Sequence, residues 1–495
     1  MAYQITVTDC YDNQIALAAC EGESLFSVLG RHQPPIFKGN CGGRGQCERC
    51  IVFIEEAQEY VKACRQTADR DMHLKLPFSF QEVREPVLLA RKVSEDVLPH
   101  AVHEDTDESK RIALETGQRY GVAIDLGTTS IGMRLLECDS GKVFCEHCMY
   151  NPQAVCGADV ISRIAYARDA AHAHILQRLV WQQLAGGIRQ MAEAVGVKVA
   201  QITDISVAGN TTMLHLLMGY DVSGLGSYPF TSEHLGAVRQ KAFGLSHCML
   251  HIYPGIAPFV GADIVSGAVS LGLGQKETYD LLIDLGTNGE LLLINANHGF
   301  CGAAACGSAF DGYVTADIPK TEGSSVGGSS YGLQRPGGYG TDIINRMMLL
   351  RQRGIIKADG VLMERYAKDG YRFPDGMTVT QENIREVQKA KAAIRTGIEL
   401  MLMEAGISFS DCQVYVAGNF GFHLDISAAV RAGMFPSGGR IAVVGNTSLK
   451  GAELLLSEEA GALDAAERLA RRTRVLEFAN MSSFSERYIG YLDFL

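Results

Sequence analysis

Polar and apolar positions alternate with a period of two over Tyr3, Gln4, Ile5, Thr6, Val7 and Thr8, which predicts a strand. A second strand follows over residues 13–19. Glu23 and Ser24 open a short amphipathic helix through Leu25, Val28 and Leu29, with Ser24 placed as its N-cap. A glycine- and cysteine-rich loop over residues 39–50 leads to a third strand, Ile51 to Ile54. Hairpin, helix, cysteine loop and strand in this order suit a small β-grasp module over residues 1–85. Residues 86–118 lose the pattern. Glu95, Asp96, Glu104, Asp105, Asp107, Glu108, Ser109 and Lys110 make a polar, charge-rich run that reads as a linker.

From residue 119 to 495 the pattern is α/β, and it repeats. An apolar run ending in Asp125, Leu126, Gly127, Thr128 and Thr129 is echoed by one ending in Asp284, Leu285, Gly286, Thr287 and Asn288. Val207, Ala208, Gly209 and Asn210 are echoed by Val416, Ala417, Gly418 and Asn419. The order is the same in both halves, so residues 119–495 should fold as two similar halves with a cleft between them. Alanine-rich stretches such as residues 388–398 should supply the helices that cover the sheets.

The chain has 495 residues, 47% hydrophobic and 20% charged, with a formal net charge of −11. That balance argues for a globular chain and against a dedicated nucleic-acid or anionic-membrane surface. The N-terminal stretch carries no basic and apolar signal pattern, and no run of about 18 apolar residues offers a membrane span. The expected location is the cytoplasm, where fourteen cysteines read as metal ligands or buried thiols and not as a disulfide framework.

Cys41, Cys47 and Cys50 have the spacing C-x5-C-x2-C, and Cys64 follows. Four thiolates are what a [2Fe–2S] cluster needs, and Gly39, Gly42, Gly43 and Gly45 let backbone N–H groups approach the sulfurs. Tetrahedral zinc suits four cysteines too, but usually as two paired C-x2-C knuckles, whereas here Cys64 stands alone. Cys145, His147 and Cys148, with Cys156 nearby, lack a second knuckle and read as part of a strand. Cys10, Cys20, Cys138, Cys248, Cys301, Cys306 and Cys412 read as small buried residues; Cys301 and Cys306 lie in a glycine- and alanine-rich loop where a ligand could approach.

An apolar strand, then Asp-Leu-Gly-Thr, then another strand is a phosphate hairpin. Glycine lets backbone N–H groups reach phosphate oxygens, the threonine hydroxyl adds a donor, and the aspartate can hold hydrated Mg²⁺. One copy is a weak signal; two copies, at Asp125 and Asp284, are a strong one. Gly418 and Asn419 sit where adenosine would rest, whereas Gly209 and Asn210 read as structural or as lining the other ligand. Residues 445–452 look like a late loop entering a helix.

The duplicated hairpins and Val-Ala-Gly-Asn strand ends resemble the ASKHA superfamily of actin, sugar-kinase and heat-shock-chaperone ATPases. The cysteine loop resembles a [2Fe–2S] ferredoxin, and the two together resemble the reductive activators of corrinoid proteins. Asn151 to Gln153, Gly157 to Arg163, Phe259 to Ile264 and Ala392 to Gly397 strengthen that resemblance. It implies ATP-dependent transfer of an electron from a [2Fe–2S] cluster on Cys41, Cys47, Cys50 and Cys64 to Co(II) of a corrinoid protein, giving Co(I). Asp125 and Asp284 would position Mg²⁺ and the attacking water. Gly127, Thr128, Thr129, Gly286, Thr287 and Asn288 would hold phosphates, and Gly418 and Asn419 would line the adenosine pocket. An external low-potential reductant would reload the cluster, and a homodimer is implied by resemblance alone. Family members carry a middle domain between linker and ATPase; Asp125 comes too early for it, so a short form lacking that domain is expected. The competing readings are an ATP-coupled electron donor to another low-potential metalloenzyme, a metabolite kinase, and a nucleotide-binding redox sensor.

Overall fold

The computed structural model describes residues 2–8, 14–31, 51–57, 59–75, 91–92, 119–157, 159–243, 245–286, 289–306, 340–375 and 377–495. The chain divides into two compact units, Met1–Asp263 with Leu449–Asp464, and Ile264–Ser448 with Ala465–Leu495.

The first unit holds two sheets. The small one contains β1 (Ala2–Thr8), β2 (Gln14–Cys20), β3 (Ile51–Ile54), β4 (Glu59–Lys62) and β5 (Met72–Lys75) in the order β2-β1-β5-β3-β4. β1 runs antiparallel to β2 and parallel to β5, and β3 runs antiparallel to β4 and β5. The helix Leu25–Gly30 starts where Ser24 accepts a hydrogen bond from the Ser27 amide at 3.2 Å. Its Leu25, Val28 and Leu29 close a core with Ile5, Val7, Val52, Ile54, Met72 and Leu74. A fully buried aliphatic side chain contributes roughly 1.5–3 kcal/mol, so this core gives the small unit much of its stability.

The larger sheet of the first unit contains β6 (Arg91–Lys92), β7 (Tyr120–Leu126), β8 (Ser130–Glu137), β9 (Val143–Tyr150), β10 (Ile202–Gly209), β11 (Val238–Ala242) and β12 (Leu245–Ile252), in the order β11-β12-β10-β7-β8-β9-β6. Every residue of β7 except half-buried Asp125 is buried, as in a central strand covered on both faces. β6 is a difference from the linker reading: two residues of the 86–118 segment pair along β9, Arg91 opposite Glu146. The rest of that segment lies outside the described residues.

The second unit repeats the plan. β13 (Asp280–Leu285), β14 (Gly289–Ile294) and β15 (Gly299–Ala304) form an antiparallel meander like β7-β8-β9. A short hairpin, β16 (Tyr371–Arg372) and β17 (Thr378–Val379), stands apart. β18 (Gln413–Ala417), β19 (Arg440–Gly445) and β20 (Thr473–Val475) complete the order β19-β18-β13-β14-β15-β20. β18 lies parallel to β13 and β19 to β18, as β10 does to β7 and β12 to β10. The repeat seen in the motifs is thus a repeat of topology. Helix Gln381–Ala405 contains the alanine-rich stretch; Thr380 and Asn383 form its capping box and Gly406, at φ 67°, ends it. Among the described residues no helix is long and apolar enough to cross a membrane.

Candidate functional site

In the first unit, β7 ends at Asp125 and Leu126, which lie opposite Ala208 and Gly209 of β10. The turn that follows is tight: a Cβ on Gly127 would come 2.6 Å from the Ser130 carbonyl oxygen. Its three carbonyls are held by two residues, Asn151 and Arg163. The Asn151 side-chain amide donates to the Gly127 oxygen at 2.9 Å, and the Asn151 backbone N–H donates to the Thr129 oxygen at 3.0 Å. The Arg163 guanidinium donates to the Thr128 oxygen at 2.5 Å. Peptide C=O and N–H point in opposite directions, so each tie turns the N–H of its own peptide away from the partner that holds the carbonyl. Thr128 is buried, and its hydroxyl oxygen accepts from the Asn210 amide at 3.1 Å, which leaves the hydroxyl hydrogen to donate. Asn210 also caps helix Thr211–Met218 by accepting from the Met213 amide at 2.9 Å. Asn210 thus both caps a helix and touches the hairpin through Thr128.

In the second unit Asp284 lies opposite Ala417 of β18 and Glu290 of β14. Gly418 has φ 85°, and a Cβ there would collide with Asp284 Oδ1 and the Leu285 carbonyl. Only glycine fits the close approach of this strand end to the aspartate. Half-buried Gly286 opens the turn; Thr287 and Asn288 lie outside the described residues, as does the side chain of Asn419. The late loop enters helix Thr447–Ser457 as expected, with Gly445 at φ 73° before it. Each unit therefore brings together its own aspartate, its glycine turn and its Ala-Gly strand end.

The cysteines divide by burial. Cys41, Cys47, Cys50 and Cys10 lie outside the described residues. Cys64 is half-buried on the short turn Ala63–Arg65, beside the small core. Cys138, Cys248, Cys301, Cys306 and Cys412 are buried, as expected, and burial pushes each thiol up, Cys301 to about 12 and Cys412 to about 11. Raised thiols resist forming the thiolate that metal ligation needs. Cys20 is instead exposed, because it ends the edge strand β2. Cys145 and Cys148 lie on β9, buried and exposed respectively, so they face opposite ways and share no metal. Among the described residues no group of three or more His, Cys, Asp or Glu side chains could hold a metal.

Three side chains of the first site were not singled out in the sequence as functional: Asn151, Gln153 and Arg163. Asn151 is the cap of the turn Pro152–Val155, and the Gln153 amide donates to its side-chain oxygen at 3.0 Å. An Asn-Pro pair at a strand end signals such a cap, but nothing local shows which loop its side chain reaches.

Residues 120–276 match the family model described as the RACo middle region, and residues 331–494 match the C-terminal domain of RACo, the ASKHA domain. The middle region, expected to be missing, is thus present. It starts at β7 and contains the first hairpin, so it is the first of the two similar halves and no insertion ahead of them. The chain is 32% identical over 416 residues to the corrinoid activation enzyme RamQ of Eubacterium limosum, covering 75% of this chain and 69% of that one. It is 23% identical over 431 residues to the [Co(II) methylated amine-specific corrinoid protein] reductase of Methanosarcina barkeri, covering 76% and 77%. A solved reductive activator for corrinoid, iron-sulfur protein superposes with a TM-score of 0.66 at 25% identity, covering 99% of this chain and 98% of that one.

Proposed function

Because this chain belongs to the reductive activators of corrinoid proteins, we propose that it restores an oxidised corrinoid protein by ATP-dependent delivery of one electron, taking Co(II) to Co(I). The observation that carries the ATP part of this reading is the pair of hairpins. Each has an aspartate at the end of a buried strand, in register with an alanine at the end of the neighbouring parallel strand. Tight strand turns use such residues singly; the same register in both halves supports a shared ligand chemistry.

In this reading Gly127, Thr128, Thr129, Gly286, Thr287 and Asn288 hold phosphate oxygens through backbone N–H and hydroxyl donors. Asp125 and Asp284 position Mg²⁺ and the attacking water, and Gly418 with Asn419 lines the adenosine pocket. Gly418 supports that role because its missing Cβ lets this strand end lie directly against Asp284 and the Leu285 carbonyl. We assign Cys41, Cys47, Cys50 and Cys64 to a [2Fe–2S] cluster on a ferredoxin-like β-grasp unit. Cys64 fits, since it is half-buried at the margin of a small core and not sealed within it. A cluster bound there would supply the single electron, and an external low-potential reductant would replace it.

ATP is needed on energetic grounds. Each ~59 mV of unfavourable potential difference lowers the equilibrium for a one-electron transfer about tenfold. Nucleotide can shift that equilibrium only by binding one state of the complex more tightly than the other. The chain's own part is therefore to make its affinity for the Co(II) corrinoid protein, or that protein's cobalt ligation, depend on what the hairpins hold.

ATP turnover tests this. Anaerobically, added Co(II) corrinoid protein should raise phosphate release, and Asp284→Ala should abolish it. Turnover unaffected by the corrinoid protein, or phosphorylation of a sugar, would remove this reading and favour a kinase.

A further inference from the structure

Arg163 is fully buried, at 0% exposure, on the short helix Val160–Tyr166. Every hydrogen bond its guanidinium makes goes to a neutral acceptor. Nε donates to the Gly157 oxygen at 2.8 Å, Nη1 to Gln153 Oε1 at 3.3 Å and to the Met213 sulfur at 3.0 Å, and Nη2 to the Thr128 oxygen. Among the described residues it makes no ion pair; Asp159, the N-cap of the same helix, favours its charged form only at a distance and accepts from Ser162 instead. An arginine buried without a bonded carboxylate is costly, and holding the hairpin carbonyls does not by itself call for a cation, since a neutral donor such as Asn151 does the same. Burial lowers its pKa only to about 10, so it keeps its charge at neutral pH.

We infer that Arg163 is a positioning residue for an anion on the first hairpin, and that this anion, the nucleotide's phosphate, is the counter-charge the guanidinium lacks. Two effects act together. The Arg163 hydrogen bond to the Thr128 carbonyl polarises the peptide whose other end is the Thr129 N–H, and a polarised peptide is a stronger donor. The guanidinium also places a positive charge directly behind the turn, in a buried setting where screening is weak. Asn151 adds the neutral counterpart: its ties to the Gly127 and Thr129 carbonyls act on the peptides of Thr128 and Ser130. This rests on the nucleotide reading above, which itself assigns no role to Arg163.

The test compares binding of ATP and of adenosine to the intact chain by calorimetry. A residue that acts on phosphate should matter for ATP and not for adenosine; a residue that only holds the fold should move both. Arg163→Met should weaken ATP about tenfold, the loss expected for one hydrogen bond to a charged group, and change adenosine by less than about twofold. Arg163→Lys keeps the charge but cannot reach all its acceptors, so its loss should be intermediate. Asn151→Ala should show the same ATP-selective loss at smaller size. If Arg163→Met does not fold, the other two variants decide. The inference is overturned if the folded variants bind ATP as tightly as the parent, or if ATP and adenosine weaken equally. Absence of ATP binding by the parent chain would instead overturn the nucleotide reading.

Discussion

Gly418→Ala is the sharpest perturbation of the second hairpin. At φ 85° an alanine is strained by roughly 1–2 kcal/mol. The new Cβ would also collide with Asp284 Oδ1 and with the backbone oxygen of Leu285. The carboxylate can swing away, but the backbone oxygen cannot move without disturbing the ladder between β13 and β18. Overpacking of this kind costs about 1–3 kcal/mol. The total, roughly 2–5 kcal/mol, should lower Tm by about 5–15 °C for a unit of this size. Displacement of Asp284 should weaken ATP at least tenfold, since ~1.4 kcal/mol of lost binding suffices for that. Gly406→Ala is the internal control. Gly406 has a similar φ of 67°, but nothing lies within 4 Å of its Cβ position, so it should show the strain alone, with ATP affinity unchanged. Thermal unfolding and ATP titration of both variants settle the matter. If Gly418→Ala matched Gly406→Ala in both, the argument from close approach would be refuted.

Three other expectations follow from the structure. Burial holds the Lys391 ammonium, which donates to the Tyr491 and Asp493 carbonyls at 2.5 and 2.6 Å, down to about 8, against ~10.4 in an unfolded chain. The unfolded chain therefore carries an extra proton between about pH 8 and 10, and stability rises with pH there; relative to Lys391→Met, the parent should gain on the order of 1–3 kcal/mol between pH 7.5 and 9.5 in urea titrations, and a constant difference would contradict this. Buried Glu453 pairs with Arg134 and with Lys450, each at 2.5 Å; Arg134→Met leaves it one partner and should cost roughly 2–3 kcal/mol, read as a lowered urea midpoint. Cys64→Ser should reduce iron per chain after anaerobic reconstitution, whereas Cys148→Ser, on the outward face of β9, should leave it unchanged.

Much of this was legible because it is local. Alternation marks Tyr3 to Thr8 as a strand, and the strand runs Ala2–Thr8. Ser24 before an apolar stripe marks a cap, and it is one. The two Asp-Leu-Gly copies each sit at the end of a strand with matching neighbours, because a tight strand-to-strand turn is a contiguous stretch whose residue types are set by backbone approach. What stayed hidden depends on distant pairing. Arg163 lies 35 residues beyond Thr128, and a helical arginine looks like a solvated one until the sheet and helix close over it. The pairing of Arg91 and Lys92 with β9 is invisible in the sequence, because edge pairing uses backbone groups alone. The middle region is hard to see for a related reason: it begins at the strand of the first hairpin, so no separate segment ahead of that hairpin marks it.

In the proposed cycle nucleotide drives an electron to a cobalt it would not otherwise reach. The most direct measurement is the anaerobic absorbance of a Co(II) corrinoid protein mixed with this chain and a reductant such as Ti(III) citrate, with and without Mg-ATP. Co(I) should form only when Mg-ATP is present, and not in Cys50→Ser. Equal Co(I) formation without nucleotide would contradict it.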